Sequence, residues 1–182
     1  ANNNYGLMRL LLRAGADING ENLQGINSLS LSTQDNDITG VRLLVEEGAD
    51  INRGSNTGIT PFHEAVRCNL TRIVDYLLST GKVKINQVDN TGQSALGYAA
   101  KEGNLAIVSQ LLLHGASVST FDKHGVTPLG YASAAGNIDL IRLLIESGAD
   151  PNAKDRFGKS PAEVIWQRFG KTINHIMGVR EY

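Results

Sequence analysis

GITPFHEAV, residues 58–66, decides the fold, because the chain repeats close variants of it. GQSALGYAA begins at 92, GVTPLGYAS at 125 and GKSPAEVIW at 158, and a weaker copy opens at Gly25. A second phrase recurs in step: LLLRAGADIN ends at Asn19, LLVEEGADIN at Asn52, LLSTGKVKIN at Asn86, LLLHGASVS at Ser119 and LLIESGADPN at Asn152. Successive copies of the opening glycine lie 33 or 34 residues apart. A fixed period of that length marks stacked units, each too small to bury its apolar face alone. It also places function on the shared surface of the stack rather than in a pocket built by one unit.

One unit, residues 89–121, shows what each copy encodes. Asp89–Gly92 reads as a turn, with glycine free to take positive φ. The Ser94 hydroxyl stands where it can cap a short helix. That helix carries Leu96, Ala99 and Ala100 on one side, and Gly103-Asn104 stops it. A second helix is predicted from about Leu105 to Leu113, with Ile107, Val108, Leu111 and Leu112 at helical spacing. Gly115 ends it, and an extended segment returns to the next turn. Gly103, Gly136, Asn36 and Asn69 share one position between the two helices. All four are expected in the left-handed conformation, which glycine and asparagine adopt at least cost.

These motifs resemble ankyrin repeats. Thr60-Pro61-Phe62-His63 and Thr127-Pro128-Leu129 match the most specific stretch of that family, and Ala65, Ala99, Ala100 and Ala132 match its small helix positions. The resemblance implies an all-α solenoid of helix-turn-helix units with β-hairpin-like turns, a single domain over 1–182. Its parts would be a partial repeat at 1–21, full repeats at 22–54, 55–88, 89–121 and 122–154, and a capping repeat at 155–182.

The departures from the pattern are informative. In 22–54, Asn27-Ser28-Leu29-Ser30 replaces the TPLH box, Ser32 and Thr33 replace the alanine pair, and Gly40 stands where the second helix normally presents Ile. This repeat is expected to be the loosest complete one: a helical glycine costs roughly 1 kcal/mol against alanine, and the missing side chain forfeits burial worth about 2 kcal/mol. One extra residue in Lys82-Val83-Lys84 should make that loop bulge. Gly97 and Gly130 replace the family histidine, each followed by a tyrosine. Tyr98 and Tyr131 are expected as packing neighbours, and Trp166 as the plug of the last repeat's core. In the closing segment Ile173, Ile176 and Met177 alternate with Lys171, Asn174 and His175, giving one apolar and one wet face.

Composition bounds the function. With 41% apolar and 19% charged residues the chain suits a folded domain. A net charge of −1 supplies no electrostatic case for nucleic acid or an anionic membrane. No apolar run approaches the ~20 residues of a membrane span, and no signal peptide is visible. A single cysteine, Cys68, excludes an internal disulfide and fits a reducing compartment. The compartment is therefore read as cytoplasmic, with a processed extracytoplasmic form left open. The chain has no initiator Met and starts partway into a repeat, so it reads as a processed or trimmed product.

Catalytic patterns are missing. His63, His114, His124 and His175 have no zinc-site spacing, and His63 reads as an internal hydrogen-bonding group of its box. No phosphate-binding loop or nucleophile elbow occurs. Asp17, Asp50 and Asp150 belong to a repeated GAD turn. No enzyme activity, cofactor, metal or small-molecule substrate is expected. The repeated Asn19, Asn52, Asn86 and Asn152 resemble the asparagines hydroxylated in eukaryotic cytosolic members of the family.

The resemblance implies binding of another protein through the turn tips and the inner face of the first helices, to inhibit, recruit or localise it, by a chain that is monomeric when free. By matching position, the contacts would include Ile59, Gln93, Lys123, His124, Val126, Arg156, Phe157 and Lys159 at the tips, and Arg67, Lys101 and Glu102 on the helices. The side chains are short at Ala134 and Ala135, which would leave a shallow floor. The last tips are basic and carry an aromatic, the usual composition of an interface anchor. Phe157 can equally fold back on its own hairpin. An alternative role is a targeting arm of a larger enzyme or channel.

Overall fold

The computed structural model describes residues 4–170, which form ten α-helices and no strand. The closing segment with Ile173, His175, Ile176 and Met177 lies outside them. By internal contacts the chain forms two compact units, 1–84 and 85–182. In the first, α1 (Tyr5–Arg13) is followed by the pairs α2 (Ser28–Gln34)/α3 (Ile38–Glu46) and α4 (Pro61–Arg67)/α5 (Thr71–Ser79). In the second, α6 (Ala95–Lys101)/α7 (Leu105–Leu113) and α8 (Pro128–Ala135)/α9 (Ile138–Glu146) precede α10 (Pro161–Phe169).

Helices of seven to nine residues are marginal alone, so caps and packing hold them. Nine of the ten are capped by a side chain. Ser94 Oγ accepts from Gly97 N at 3.1 Å, as its position predicts. Thr60 and His63 form a reciprocal capping box, with Thr60 N–H donating to His63 Nδ1 at 3.3 Å. The exception is α5, where Leu70 occupies the cap position and offers no side-chain acceptor. Within each unit first helices pack on first helices, α2 on α4 and α6 on α8 on α10, and second helices do likewise. The core is the apolar seam between the two rows, with Leu29, Leu44, Ile73 and Leu77 fully buried in one unit and Leu96, Ile107, Leu111 and Leu144 in the other.

The interhelical turns adopt the expected conformation: φ is 54° at Asn36, 56° at Asn69 and 73° at both Gly103 and Gly136. That agreement fixes the register by which residues 33 or 34 apart are compared below. The repeated asparagines are ties between successive loops. Asn19 Oδ1 accepts from Asp50 N at 2.9 Å, and Asn86 Oδ1 from Ser117 N at 2.7 Å. Around the extra residue, Asn52 holds both sides of the loop, accepting from Lys84 N at 2.8 Å and donating to Lys82 O at 2.9 Å.

Gly40 is not the hollow that the sequence suggests. It is buried, and a Cβ there would run into Asp37 Oδ2 and Ser32 Oγ. The Asp37 carboxylate fills that space, capping α3 through Gly40 N and accepting the Tyr5 hydroxyl at 2.7 Å. Thr33 is also accommodated, its hydroxyl returning to Leu29 O at 2.9 Å. The unsatisfied group in this pair is Ser30, whose buried Oγ has no partner among the described residues. A buried hydroxyl left unpaired costs about 1–3 kcal/mol. Ser30→Ala is therefore expected to stabilise the protein by about 1 kcal/mol. Urea unfolding checks this, and a lower midpoint would mean the hydroxyl is satisfied in solution.

At the two ends the pattern changes. No residue of α1 is buried, and Leu11 is 52% exposed where its equivalents Leu44 and Leu77 are covered by a first helix. On α10 the expected plug is displaced: Ile165 is buried, while Trp166 is 56% exposed. The apolar face of α10 falls one residue earlier than the sequence reading placed it.

Candidate functional site

The turn tips are organised by one side chain per repeat. Asn22, Ser55, Asp89, Asp122 and Asp155 occupy equivalent positions. Asp89 Oδ1 accepts from Thr91 N, Thr91 Oγ1 and Gln93 N at 2.7, 2.7 and 3.0 Å. Asp122 Oδ1 accepts from His124 N and Val126 N, both at 2.9 Å. Their second oxygens accept tyrosine hydroxyls: Tyr98 reaches Asp89 Oδ2 at 2.6 Å and Tyr131 reaches Asp122 Oδ2 at 2.7 Å. The two tyrosines thus lock first helices to tips. Burial opposes the charge on both carboxylates, but the hydrogen bonds from tyrosine and backbone outweigh it and hold both below the usual carboxyl range. Tyr131 is pushed the other way, to about 12, by burial and by its bond to the Asp122 carboxylate.

Neighbouring tips are joined by backbone bonds, Asn56 N to Gln24 O at 3.0 Å, Lys123 N to Thr91 O at 2.7 Å and Arg156 N to His124 O at 2.8 Å. These bonds fix the spacing of the side chains that the tips present.

In the C-terminal unit the sequence-predicted residues divide. Lys123, His124, Arg156, Phe157 and Lys159 are exposed at the tips, and Lys101 and Glu102 at the end of α6. Phe157 is 76% exposed, so it is not folded onto its hairpin. The Lys101 ammonium lies 5.7 Å from the centre of the Tyr131 ring, a cation–π contact that orients it. Val126 is half-buried. Gln93 is a correction: it is only 5% exposed and offers no contact surface. The reason is Gly97, which lacks the side chain that His63 presents at that position. The Gln93 amide folds into the vacated space, within 3.1 Å of where a Cβ would stand.

In the N-terminal unit Ile59 is half-buried. Arg67 is exposed, but its guanidinium is held by Glu64 at 2.7 and 2.9 Å. Neither belongs to the C-terminal surface described next.

Two concavities lie along the C-terminal unit. A cleft of about 440 Å³ between tips is lined by Thr91, Phe121, Lys123, Lys154 and Arg156. A groove of about 470 Å³ runs between α8 and α10, floored by Gly130, Ala134, Pro161 and Val164 and bordered by Tyr131, Asp155 and Lys159. Both include Gly125 and Asp155. Of the two alanines expected to leave a shallow floor, Ala134 lines the groove, and its carbonyl accepts from Arg168 Nη1 at 2.5 Å.

Sequence reading missed Phe121, Lys154 and Val164. Phe121 carried a usable signal: it is a large aromatic in a register where the other copies hold Glu21, Gly54, Val88 and Lys154, and it is 64% exposed. Val164 was also visible, as the break in a tyrosine series. Its consequence depended on where the tyrosine hydroxyls go.

No group of three or more potential metal-ligating side chains occurs among the described residues, and no helix among them is long and apolar enough to cross a membrane. Paired short helices, left-handed interhelical turns and zipped tips define a tandem α-helical repeat protein. A family model of ankyrin repeats, three copies long, matches residues 1–89 and 82–155, and the chain belongs to that family. Ankyrin repeats are general protein–protein interaction modules and are typically non-catalytic. No curated protein matches the chain at a significant level.

Proposed function

We propose that the chain is a non-catalytic binding module that holds a partner protein on the tips and first-helix ends of its C-terminal unit, to inhibit, recruit or localise it. Arg156, Phe157, Lys123, His124, Lys159 and Lys101 are the contacts. One observation carries this reading. Lys123 and Arg156 form no ion pair among the described residues, yet they border a cleft that the exposed Phe121 also lines, and the exposed Phe157 follows Arg156 in the chain. Exposed aromatics with arginine alongside are the composition of interface anchors, and unpaired cations favour an acidic partner surface. The tips are already fixed by backbone bonds, so association orders little that was free. The exposed Cys68, in no disulfide, suits the reducing cytoplasm proposed as its compartment.

The test begins with affinity capture and mass spectrometry to name a partner, followed by titration with purified components. Phe157→Ala is expected to weaken binding by about 2 kcal/mol. Arg156→Ala should weaken it less and act mainly on the association rate. Neither should alter the circular dichroism spectrum, because both side chains are exposed. Wild-type affinity in the Phe157 variant would remove this surface from consideration.

A further inference from the structure

The tyrosine series breaks at α10. Residues 98, 131 and 164 are equivalent, and the third is valine. Tyr98 and Tyr131 each deliver a hydroxyl to the second oxygen of their own tip aspartate. Asp155 makes the same turn, Oδ1 accepting from Phe157 N at 2.8 Å and Lys159 N at 2.9 Å. Val164 has no hydroxyl to give, and Asp155 Oδ2 has no hydrogen-bond partner among the described residues.

The space of the missing ring is open too. Tyr131 lies beside Lys101 and Gln93. The residues equivalent to those two, one repeat on, are Ala134 and Val126, and both line the groove between α8 and α10. Gly130 and Val164 keep the groove clear, and Asp155 borders it. The groove therefore has the lining of a tyrosine site, with the acceptor in place and the tyrosine absent. It adjoins the basic cleft, since Gly125 and Asp155 border both.

Resting on the protein-binding role above, we propose that this groove takes a tyrosine side chain of the partner polypeptide. The ring would occupy the place that a residue-164 tyrosine would fill, and its hydroxyl would donate to Asp155 Oδ2. Charge complementarity sets the rest of the segment: Lys123 and Arg156 in the adjoining cleft call for acidic residues flanking the tyrosine. The occupant is an acidic, tyrosine-bearing segment. Phenylalanine at the same place would keep the apolar contact and leave the carboxylate oxygen unfilled. A phosphotyrosine would be rejected, because its charge would meet that of Asp155.

Calorimetric titration with three synthetic peptides tests this, using Glu-Glu-Glu-Tyr-Glu-Glu-Glu with both ends blocked and its phenylalanine and alanine counterparts. The tyrosine peptide is expected to bind roughly tenfold tighter than the phenylalanine peptide, the worth of a hydrogen bond to a charged acceptor, and the alanine peptide weakest. Val164→Tyr restores the chain's own tyrosine. It should retain or raise the melting temperature and abolish the preference for tyrosine. Asp155→Asn should reduce the preference, because a neutral amide replaces the charged acceptor, while keeping the turn, because Asn22 Oδ1 accepts the same two bonds, from Gln24 N and Ile26 N at 2.9 and 3.0 Å. Equal affinity for all three peptides, absence of binding by any of them, or undiminished tyrosine preference in Val164→Tyr overturns the proposal. Equal affinities that still fall in Arg156→Ala would remove the tyrosine site and leave the basic protein-binding surface standing.

Discussion

Gly25→Ala lowers the stability of the N-terminal unit by about 3 kcal/mol, whereas Gly158→Ala, at the equivalent turn, costs about 1 kcal/mol. Both glycines have positive φ, 72° and 76°. An L-residue pays roughly 1–2 kcal/mol for that backbone at either site. The difference lies in what the Cβ meets. At Gly158 nothing stands within 4 Å, while at Gly25 the Cβ would be 2.6 Å from Asn56 N. Asn56 joins the two tips by two bonds, its N–H donating to Gln24 O at 3.0 Å and its Nδ2 to Leu23 O at 2.9 Å. Displacing it forfeits both, at about 1 kcal/mol each. Urea unfolding of the two variants gives the comparison directly. Hydrogen exchange places the loss, which should appear as faster exchange within residues 22–60. Equal costs at the two glycines would mean that the tip contacts carry no stability.

Asp122→Ala costs about 3 kcal/mol, while Asp122→Asn costs about half as much. The alanine change strips the acceptor from two backbone N–H groups and from the Tyr131 hydroxyl at once. Donors left unsatisfied away from water cost more than the bonds themselves were worth. Asparagine keeps an acceptor for the turn, as Asn22 does. The same group governs the acid limb. Asp89 and Asp122 have native pKa values below their unfolded values, so more protons bind in the unfolded chain as pH falls. Their contribution is complete above the ordinary carboxyl pKa of about 4 and is lost as pH falls through the lower native values. Tyr131 acts at the opposite end. Its pKa rises from 10.0 to about 12, so its contribution is complete below 10 and is lost as pH climbs through 12. Melting temperature followed against pH should fall at both limbs. In Asp122→Asn both limbs should be shallower, the alkaline one because the carboxylate that raises Tyr131 is gone and less stability is then lost above pH 10. An unchanged alkaline limb would uncouple the two residues.

Much of the fold was legible in the chain because its signals are local. The 33- or 34-residue spacing, the capping residues before each helix and the glycine or asparagine at each interhelical turn depend on backbone geometry a few residues wide. Asn36 and Asn69 took the left-handed conformation because no other L-residue takes it as cheaply. The surface was legible only as far as residue type and register reach: Arg156 and Phe157 stand exposed where the phase puts them. What escaped depended on space left by another residue. Gln93 matches its tip neighbours in register, but a missing side chain at Gly97 drew it inward. Gly40 reads as a defect in the sequence, but the Asp37 carboxylate fills its place. Trp166 read as the core residue, yet α10 turns Ile165 inward instead. Val164 matters only through the hydroxyls of its counterparts Tyr98 and Tyr131, which donate to Asp89 and Asp122 and have no equivalent at Asp155. Local propensity thus set the helices, their ends and their register. Packing between repeats, where a side chain goes wherever volume and a hydrogen-bond partner are both free, decided which positions form the core and which remain available for binding.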